Sequence, residues 1–140
     1  MPPSDRALVD RLIQVLSGEP DVRLAVLFGS AARGEVGPRS DVDVAVRLGC
    51  DTRATRVRIE AALGVAAGRA LDWIEMDQAS PLARFEIARD GVVLIERDPH
   101  AWADFRARAM IDWWDWAPTQ RRIDRAAMAR VRAEAGGGSR

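Results

Sequence analysis

The 140-residue sequence contains no lysine and no tyrosine, and it has one cysteine, Cys50, and one histidine, His100. Without lysine there is no Schiff-base chemistry and no phosphate-binding P-loop, and without tyrosine there is no tyrosyl nucleophile. One cysteine and one histidine also exclude a disulfide framework and a zinc site within one chain. Any enzymatic chemistry must therefore use mainly carboxylates, arginine and serine, and any metal must be bound through oxygen.

An excess of charge of one sign is also missing, because 21 arginines balance 21 acidic residues. A net charge of zero argues against a general nucleic-acid-binding protein, so no direct nucleic-acid binding is expected. No apolar run approaches the ~18 residues of a membrane span, and the amino terminus is charged rather than signal-like. With 48% hydrophobic residues, the sequence predicts one globular cytoplasmic domain that does not contact a membrane.

Hydrophobic periodicity and turn residues divide the chain into alternating helices and strands. The predicted order is helix, strand, strand, helix, strand, helix, strand and a long carboxyl-terminal helix. The fourth of these elements is expected to begin at Asp51 as capping residue, and the sixth at Ser80. This order predicts an α/β (α+β) fold with a small mixed sheet flanked by helices. We predict a catalytic core at 1–100, a helical extension packed on it at 101–135 and a disordered tail at 136–140.

Two carboxylates, Asp41 and Asp43, lie two positions apart in a predicted amphipathic strand at 41–48. Because strand side chains alternate, both project from one face while the valines between them enter the core. Such oxygen ligands suit Mg²⁺ or Mn²⁺. Asp72 in the next predicted strand is the candidate third carboxylate, preferred to Glu75, which should face the other way. The pattern indicates a two-metal site for phosphoryl or nucleotidyl transfer, although Asp-x-Asp alone is also typical of a solvated strand face.

The dipeptide Gly29-Ser30 ends the first predicted strand and begins a short helical turn. Free backbone N–H groups and a hydroxyl at such a turn favour a phosphate, and glycine lets it approach closely. Arg33 follows the turn and could neutralise a leaving pyrophosphate, or it could be an ordinary surface arginine. Ser40 could orient the metal-binding turn, or it could be a plain turn residue.

Two segments together, FGSAARG at 28–34 and SDVD at 40–43, resemble the signature of the DNA polymerase β-like nucleotidyltransferase superfamily. Later segments, LDWIEM at 71–76, Pro81-Leu82 and DGVVL at 90–94, are similar to the minimal nucleotidyltransferases (MNT) of that superfamily. These are the antitoxins of HEPN/MNT toxin–antitoxin pairs. The resemblance covers about residues 5–105 and implies the nucleotidyltransferase fold.

The resemblance implies an Mg²⁺-dependent enzyme that transfers AMP from ATP to a hydroxyl, on a tyrosine, of a cognate HEPN RNase toxin and thereby neutralises it. Gly29 and Ser30 would hold phosphates of ATP, and Asp41 and Asp43 would bind two Mg²⁺ ions. Asp72 would bind the catalytic metal and help to deprotonate the attacking hydroxyl. The alternatives are a small-molecule nucleotidyltransferase of the aminoglycoside-modifying type and a non-catalytic antitoxin that acts by binding alone.

Four of the five tryptophans lie between residues 102 and 116. Trp102, Trp113 and Trp116 share a predicted helical stripe, whereas Trp114 lies outside it. This apolar arc is wider than one packing surface requires, so we expect it to contact a second copy of the chain or another protein. The following segment, 119–135, holds five arginines and two acids, a local charge of 5 − 2 = +3. Such a segment is usually solvated, but it could bind an acidic partner or RNA.

Overall fold

The apolar segments form a four-stranded sheet in the computed structural model of the chain, which describes residues 3–34 and 41–138. The order of elements confirms the predicted order and the mixed α/β fold class. The elements are α1 (Pro3–Ser17), β1 (Val22–Phe28), β2 (Val42–Leu48), α2 (Arg53–Ala67), β3 (Leu71–Glu75), a 3₁₀ turn (Met76–Gln78), α3 (Pro81–Asp90), β4 (Val92–Glu96) and α4 (Ala101–Gly138).

The strands lie in the order β3-β2-β1-β4. β1 is antiparallel to both of its neighbours, β2 and β4, whereas β2 and β3 are parallel. In this register Asp43 of β2 lies beside Phe28 of β1 on one side and beside Asp72 of β3 on the other. The end of β1 and the beginnings of β2 and β3 therefore meet at one edge of the sheet.

Helices cover both faces of the sheet. α1 and α2 bury leucine and isoleucine side chains on one face, and α3 and α4 bury Ile87, Ala88, Phe105 and Ala109 on the other. The valines of β2 enter the first core as predicted, but Ala45 is also fully buried, in the second core. The prediction of an amphipathic strand was therefore wrong for its central residue, because α3 and α4 cover the face that the alternation assigned to solvent.

The helix starts follow local capping chemistry. α3 begins as predicted, since Ser80 Oγ accepts a hydrogen bond from Ala83 N at 3.1 Å and Pro81 occupies the first turn. For α2 the predicted cap was wrong by one residue, because Thr52 is the capping residue and its hydroxyl accepts from Thr55 N. Asp51 instead forms an ion pair with Arg56.

α4 consists of a half that packs on the core and a half that does not. Ala101, Phe105, Ala109 and Ala117 are buried, whereas every side chain described between residues 118 and 131 is exposed. The helix passes through Pro118 and runs to Gly138, so it overlaps the predicted tail at 136–140. The division of the chain at residue 100 stays a prediction. Within the described ranges, no helix is both long and apolar enough to cross a membrane.

Candidate active site

A left-handed glycine follows the last residue of β1. Gly29 has a φ of +73°, and its carbonyl oxygen accepts a hydrogen bond from Arg33 N at 3.2 Å, which closes the helical turn after the strand. A Cβ at this position would overlap the Asp43 carboxylate, with the Asp43 Cγ only 3.2 Å away. Glycine is therefore required twice, by the backbone conformation and by the close approach of a site carboxylate.

Asp43 and Asp72 are paired residues of neighbouring parallel strands, which lie about 4.8 Å apart. The pKa of the half-buried Asp43 is raised to about 6, and burial is the largest cause. The charge of Asp72, a side-chain hydrogen bond with it, and the charges of Asp41 and of Glu86 on α3 contribute the rest of this increase. Negative charge is thus concentrated at this edge of the sheet, where Asp43 is held in a setting that disfavours its ionised form.

The structure also tests whether these acids fit a cation. Asp41 lies immediately before β2 and is exposed, near enough to act on the pKa of Asp43. In residues 3–34 and 41–138 no three or more histidine, cysteine or acidic side chains are gathered as a ready metal centre. The repulsion that raises the pKa of Asp43 is nevertheless the kind that a divalent cation relieves, and carboxylate oxygens are the ligands that Mg²⁺ prefers. The paired carboxylates Asp43 and Asp72 therefore suit such an ion, and the assignment of Asp41, Asp43 and Asp72 as metal ligands stays a prediction.

Glu75, the alternative third acid, lies elsewhere. It is paired with Val46 in the sheet register, three positions along β2 from Asp43. Its carboxylate accepts a hydrogen bond from Arg56 Nη2 at 2.9 Å, and that guanidinium also binds Asp51. The geometry thus places Asp72, and not Glu75, beside Asp43.

Arg33 follows the glycine-serine turn in the chain, and its guanidinium pairs with Asp90, an acid that the sequence did not predict for this site. Its Nη1 donates to Asp90 Oδ2 at 2.9 Å. Hydrogen bonds from Arg89 and then from Arg33 hold the pKa of Asp90 below its usual range. A role of Arg33 in binding phosphates stays a prediction, and so does a role of Ser40, which lies outside the described residues.

The four-stranded mixed sheet, with a glycine-serine turn beside paired carboxylates, agrees with the nucleotidyltransferase class expected from the sequence. Residues 10–100 match the family described as "Polymerase beta, Nucleotidyltransferase". The match spans more than half of the chain, which therefore belongs to the polymerase β nucleotidyltransferase family. A search of curated proteins finds no match.

Solved structures of toxin–antitoxin complexes share the fold. A chain of a toxin–antitoxin crystal structure with AMP-PNP is 22% identical, with a TM-score of 0.70 over 85% of this chain and 98% of that chain. A chain from the complex of tri-AMPylated Shewanella oneidensis HEPN toxin with MNT antitoxin is 20% identical, with a TM-score of 0.67 over 88% of this chain and 98% of that chain. A MntA-HepT complex is also similar, at 20% identity and a TM-score of 0.65 over 87% of this chain and 98% of that chain. The nucleotidyltransferase fold predicted from the sequence is confirmed.

Proposed function

We propose that this chain is an antitoxin enzyme, which transfers AMP from ATP to a tyrosine hydroxyl of a cognate HEPN toxin and so neutralises it. One observation carries the proposal: the paired Asp43 and Asp72 lie beside the left-handed turn at Gly29. This places acidic residues next to a turn suited to phosphate, on the fold of the polymerase β nucleotidyltransferase family. A cytoplasmic location belongs to the same proposal.

The proposed reaction gives each of these groups a role. Backbone N–H groups at Gly29 and the hydroxyl of Ser30 would hold the β- and γ-phosphates of ATP, and the α-phosphate would then face Asp43. The acceptor oxygen would attack the α-phosphorus, the bond from that phosphorus to the bridging oxygen would break, and pyrophosphate would leave. Asp72, the exposed carboxylate of the pair, would take the proton of the attacking hydroxyl.

The residues that would hold Mg²⁺ are Asp41, Asp43 and Asp72, and Mn²⁺ could take its place. A bound ion supplies neutralisation of the phosphate charge and of charge developing on the leaving group. On the protein side, the ion would stabilise the ionised form of Asp43, whose pKa burial and the neighbouring acids raise to about 6. Arg33, held by Asp90, could add positive charge on the leaving-group side.

The surroundings of the site favour a protein acceptor over a small molecule. A cavity of about 780 Å³ exists, but it is lined by residues such as Arg47, Asp77 and Arg108. Arg47 lies four residues along β2 from Asp43, a separation of about 13 Å in a strand. An aminoglycoside-type acceptor bound there would lie too far from the carboxylate pair. Two of the similar structures support AMP transfer to a protein, since one complex contains AMP-PNP and another contains a tri-AMPylated HEPN toxin.

Intact-mass spectrometry tests the proposal. The chain is incubated with ATP, Mg²⁺ and the purified cognate HEPN toxin, and the mass of that toxin is measured. We expect an increase by one or more AMP groups, located on tyrosine by fragmentation, together with loss of its RNase activity. Asp72→Asn should remove the mass change, whereas Glu75→Gln should leave it in place. Neutralisation of the RNase with no mass change would favour the alternative of a non-catalytic antitoxin.

A further inference from the structure

The beginning of β4 lies beside the glycine-serine turn. β4 runs antiparallel to β1, and its first residue, Val92, is paired with Leu27. Continuing this register by two residues brings Asp90 level with Gly29. The last residue of α3 is therefore placed next to the turn that follows β1, although the two are far apart in the sequence.

Asp90 is a nearly buried carboxylate that two guanidinium groups share. Its side chain is only 10% exposed. It accepts one hydrogen bond from Arg33 Nη1 at 2.9 Å, and two from Arg89, from Nε at 2.9 Å and from Nη2 at 2.8 Å. The hydrogen bonds from Arg89 and then from Arg33 hold the pKa of Asp90 below its usual range, so this carboxylate is ionised at neutral pH. Two positive charges and one negative charge, a local charge of 2 − 1 = +1, are therefore gathered beside the turn.

Arg33 is held at its backbone and at its guanidinium. Its backbone N–H donates to the Gly29 carbonyl oxygen at 3.2 Å, which ties the residue to the turn, and its guanidinium donates to Asp90. A flexible arginine side chain loses rotamer freedom when it binds a ligand, and holding it in place beforehand reduces that cost. The Arg33 side chain is 41% exposed, so an anion at the turn can reach it.

Arg89 supports Asp90 from α3. Its guanidinium carbon lies 5.5 Å from the centroid of the Phe85 ring, so this second partner of Asp90 is itself packed in place. The charge of Glu86 acts on Arg89, and the same Glu86 acts on Asp43. The end of α3 therefore adjoins both parts of the candidate site, the carboxylate pair and the turn.

An ion pair that only stabilises the fold is the simplest alternative role for Asp90. In a nearly buried ion pair, however, desolvation of the charges offsets most of their attraction, so the net gain in stability is small. The main physical consequence of such a pair is that it fixes the orientation of its partners. The partner fixed here is Arg33, the arginine that follows the glycine-serine turn.

We propose that Asp90 is a positioning residue, which holds the Arg33 guanidinium where the β- and γ-phosphates of a nucleotide bind. The inference rests on the proposed function, which assigns those phosphates to the turn at Gly29 and Ser30. Asp90 itself touches no phosphate and acts only through Arg33, whose planar fork of N–H donors matches phosphate oxygens. The chain should therefore lose affinity for pyrophosphate, and not for AMP, when Asp90 is replaced.

Calorimetric titrations with magnesium pyrophosphate and with AMP test this inference. Asp90→Asn keeps the size of the side chain and removes the charge that holds Arg33, so we expect it to weaken pyrophosphate binding about 10-fold. AMP binding should stay unchanged. The sign of the effect is informative, because removal of a negative charge beside a bound anion would by itself strengthen binding. The matched control is Asp98→Asn, which breaks the ion pair with Arg23 just beyond the other end of β4 and should bind pyrophosphate normally.

A double-mutant cycle shows whether Asp90 acts through Arg33. Arg33→Gln should weaken pyrophosphate binding at least as much as Asp90→Asn does, and the combined variant should bind no more weakly than Arg33→Gln alone. Arg89→Gln leaves Arg33 paired with Asp90 and should have a smaller effect. Circular dichroism checks that each variant is folded, and Asp90→Ser takes the place of Asp90→Asn if the asparagine variant does not fold.

The outcomes separate this inference from the proposed function. Pyrophosphate affinity that is unchanged or higher in the folded Asp90→Asn variant overturns the positioning role, even if AMP transfer is confirmed. Equal losses of pyrophosphate and AMP binding, or losses that add in the combined variant, also overturn it. The expected pattern of binding, with no AMP transfer by the wild type, supports the positioning role and overturns the assigned reaction. A wild-type chain that binds neither ATP nor pyrophosphate overturns both.

Discussion

Replacing Asp43 by asparagine should stabilise the metal-free protein at neutral pH while abolishing nucleotidyl transfer. Burial and the neighbouring Asp72 raise the pKa of Asp43 from 3.8 to about 6, so the folded state disfavours its ionised form. A difference of about two pH units in pKa corresponds to about 3 kcal/mol. Because Asp43 is only half-buried, solvent screening reduces this value to about 1–2 kcal/mol. In a chain of this size such a gain raises Tm by about 3–6 °C.

The pH dependence has a definite sign. Between about pH 4 and pH 6 the folded protein retains a proton on Asp43 that the unfolded chain has lost, so stability falls as pH rises through this window. Asparagine cannot ionise, and the Asp43→Asn variant should lack this fall. The difference in Tm should therefore be small at pH 4 and complete above about pH 6.5. Thermal unfolding in EDTA, followed by circular dichroism at both pH values, measures it.

Mg²⁺ provides the second half of the experiment. At pH 7.5 it should raise the Tm of the wild type and leave that of Asp43→Asn nearly unchanged, because the variant lacks the crowded carboxylate. Asp10→Asn, which removes an exposed acid from α1, is the control and should behave as wild type. Equal Tm values for wild type and Asp43→Asn in EDTA at pH 7.5, or a lower value for the variant, would refute the reasoning.

Three further predictions test other parts of the structure. Gly29→Ala should weaken ATP binding more than about 10-fold and destabilise the fold by more than about 1 kcal/mol, because the φ of residue 29 is +73° and the new Cβ would overlap Asp43. Unchanged ATP affinity in calorimetry would show that this turn is not part of the site. Asp77→Asn should lower Tm slightly at pH 7 and not at low pH. A hydrogen bond from Arg47 holds the pKa of Asp77 below its usual range, and the stabilisation disappears as Asp77 is protonated. A difference in Tm that does not change with pH would contradict this prediction. Trp114→Ala should leave Tm unchanged, because the side chain is 76% exposed, and a large drop in unfolding temperature would place it in the core of the monomer instead.

Local patterns were sufficient for most of the fold. Ser80-Pro81 combines a capping hydroxyl with a residue suited only to the first helical turn, so the start of α3 was predictable. Asp51 and Thr52 are both good capping residues, and only the backbone conformation decides between them. The burial of Ala45 depends on α3 and α4, which pack on β2 from distant parts of the chain, so the alternation within the strand could not reveal it.

The site was only partly predictable for the same reason. The spacing of Asp41 and Asp43 in one strand indicates an acidic pair without knowledge of the fold. The pairing of Asp43 with Asp72 comes from the parallel register of β2 and β3, which is a tertiary property. Glu86 and Asp90 reach the site from α3, and Asp90 lies 57 residues along the chain from its partner Arg33, so no local signal identified them.

The most direct test of the central claim compares ATP labelled at the α-phosphate with ATP labelled at the γ-phosphate, in the presence of Mg²⁺ and the cognate HEPN toxin. If the Asp43–Asp72 pair carries AMP transfer, the α-label should become covalently attached to the HEPN protein and the γ-label should appear in pyrophosphate. The Asp43→Asn enzyme should transfer neither label. Attachment of the γ-label would show phosphoryl transfer instead, and undiminished attachment of the α-label by the folded Asp43→Asn variant would show that this carboxylate pair is not the catalytic site.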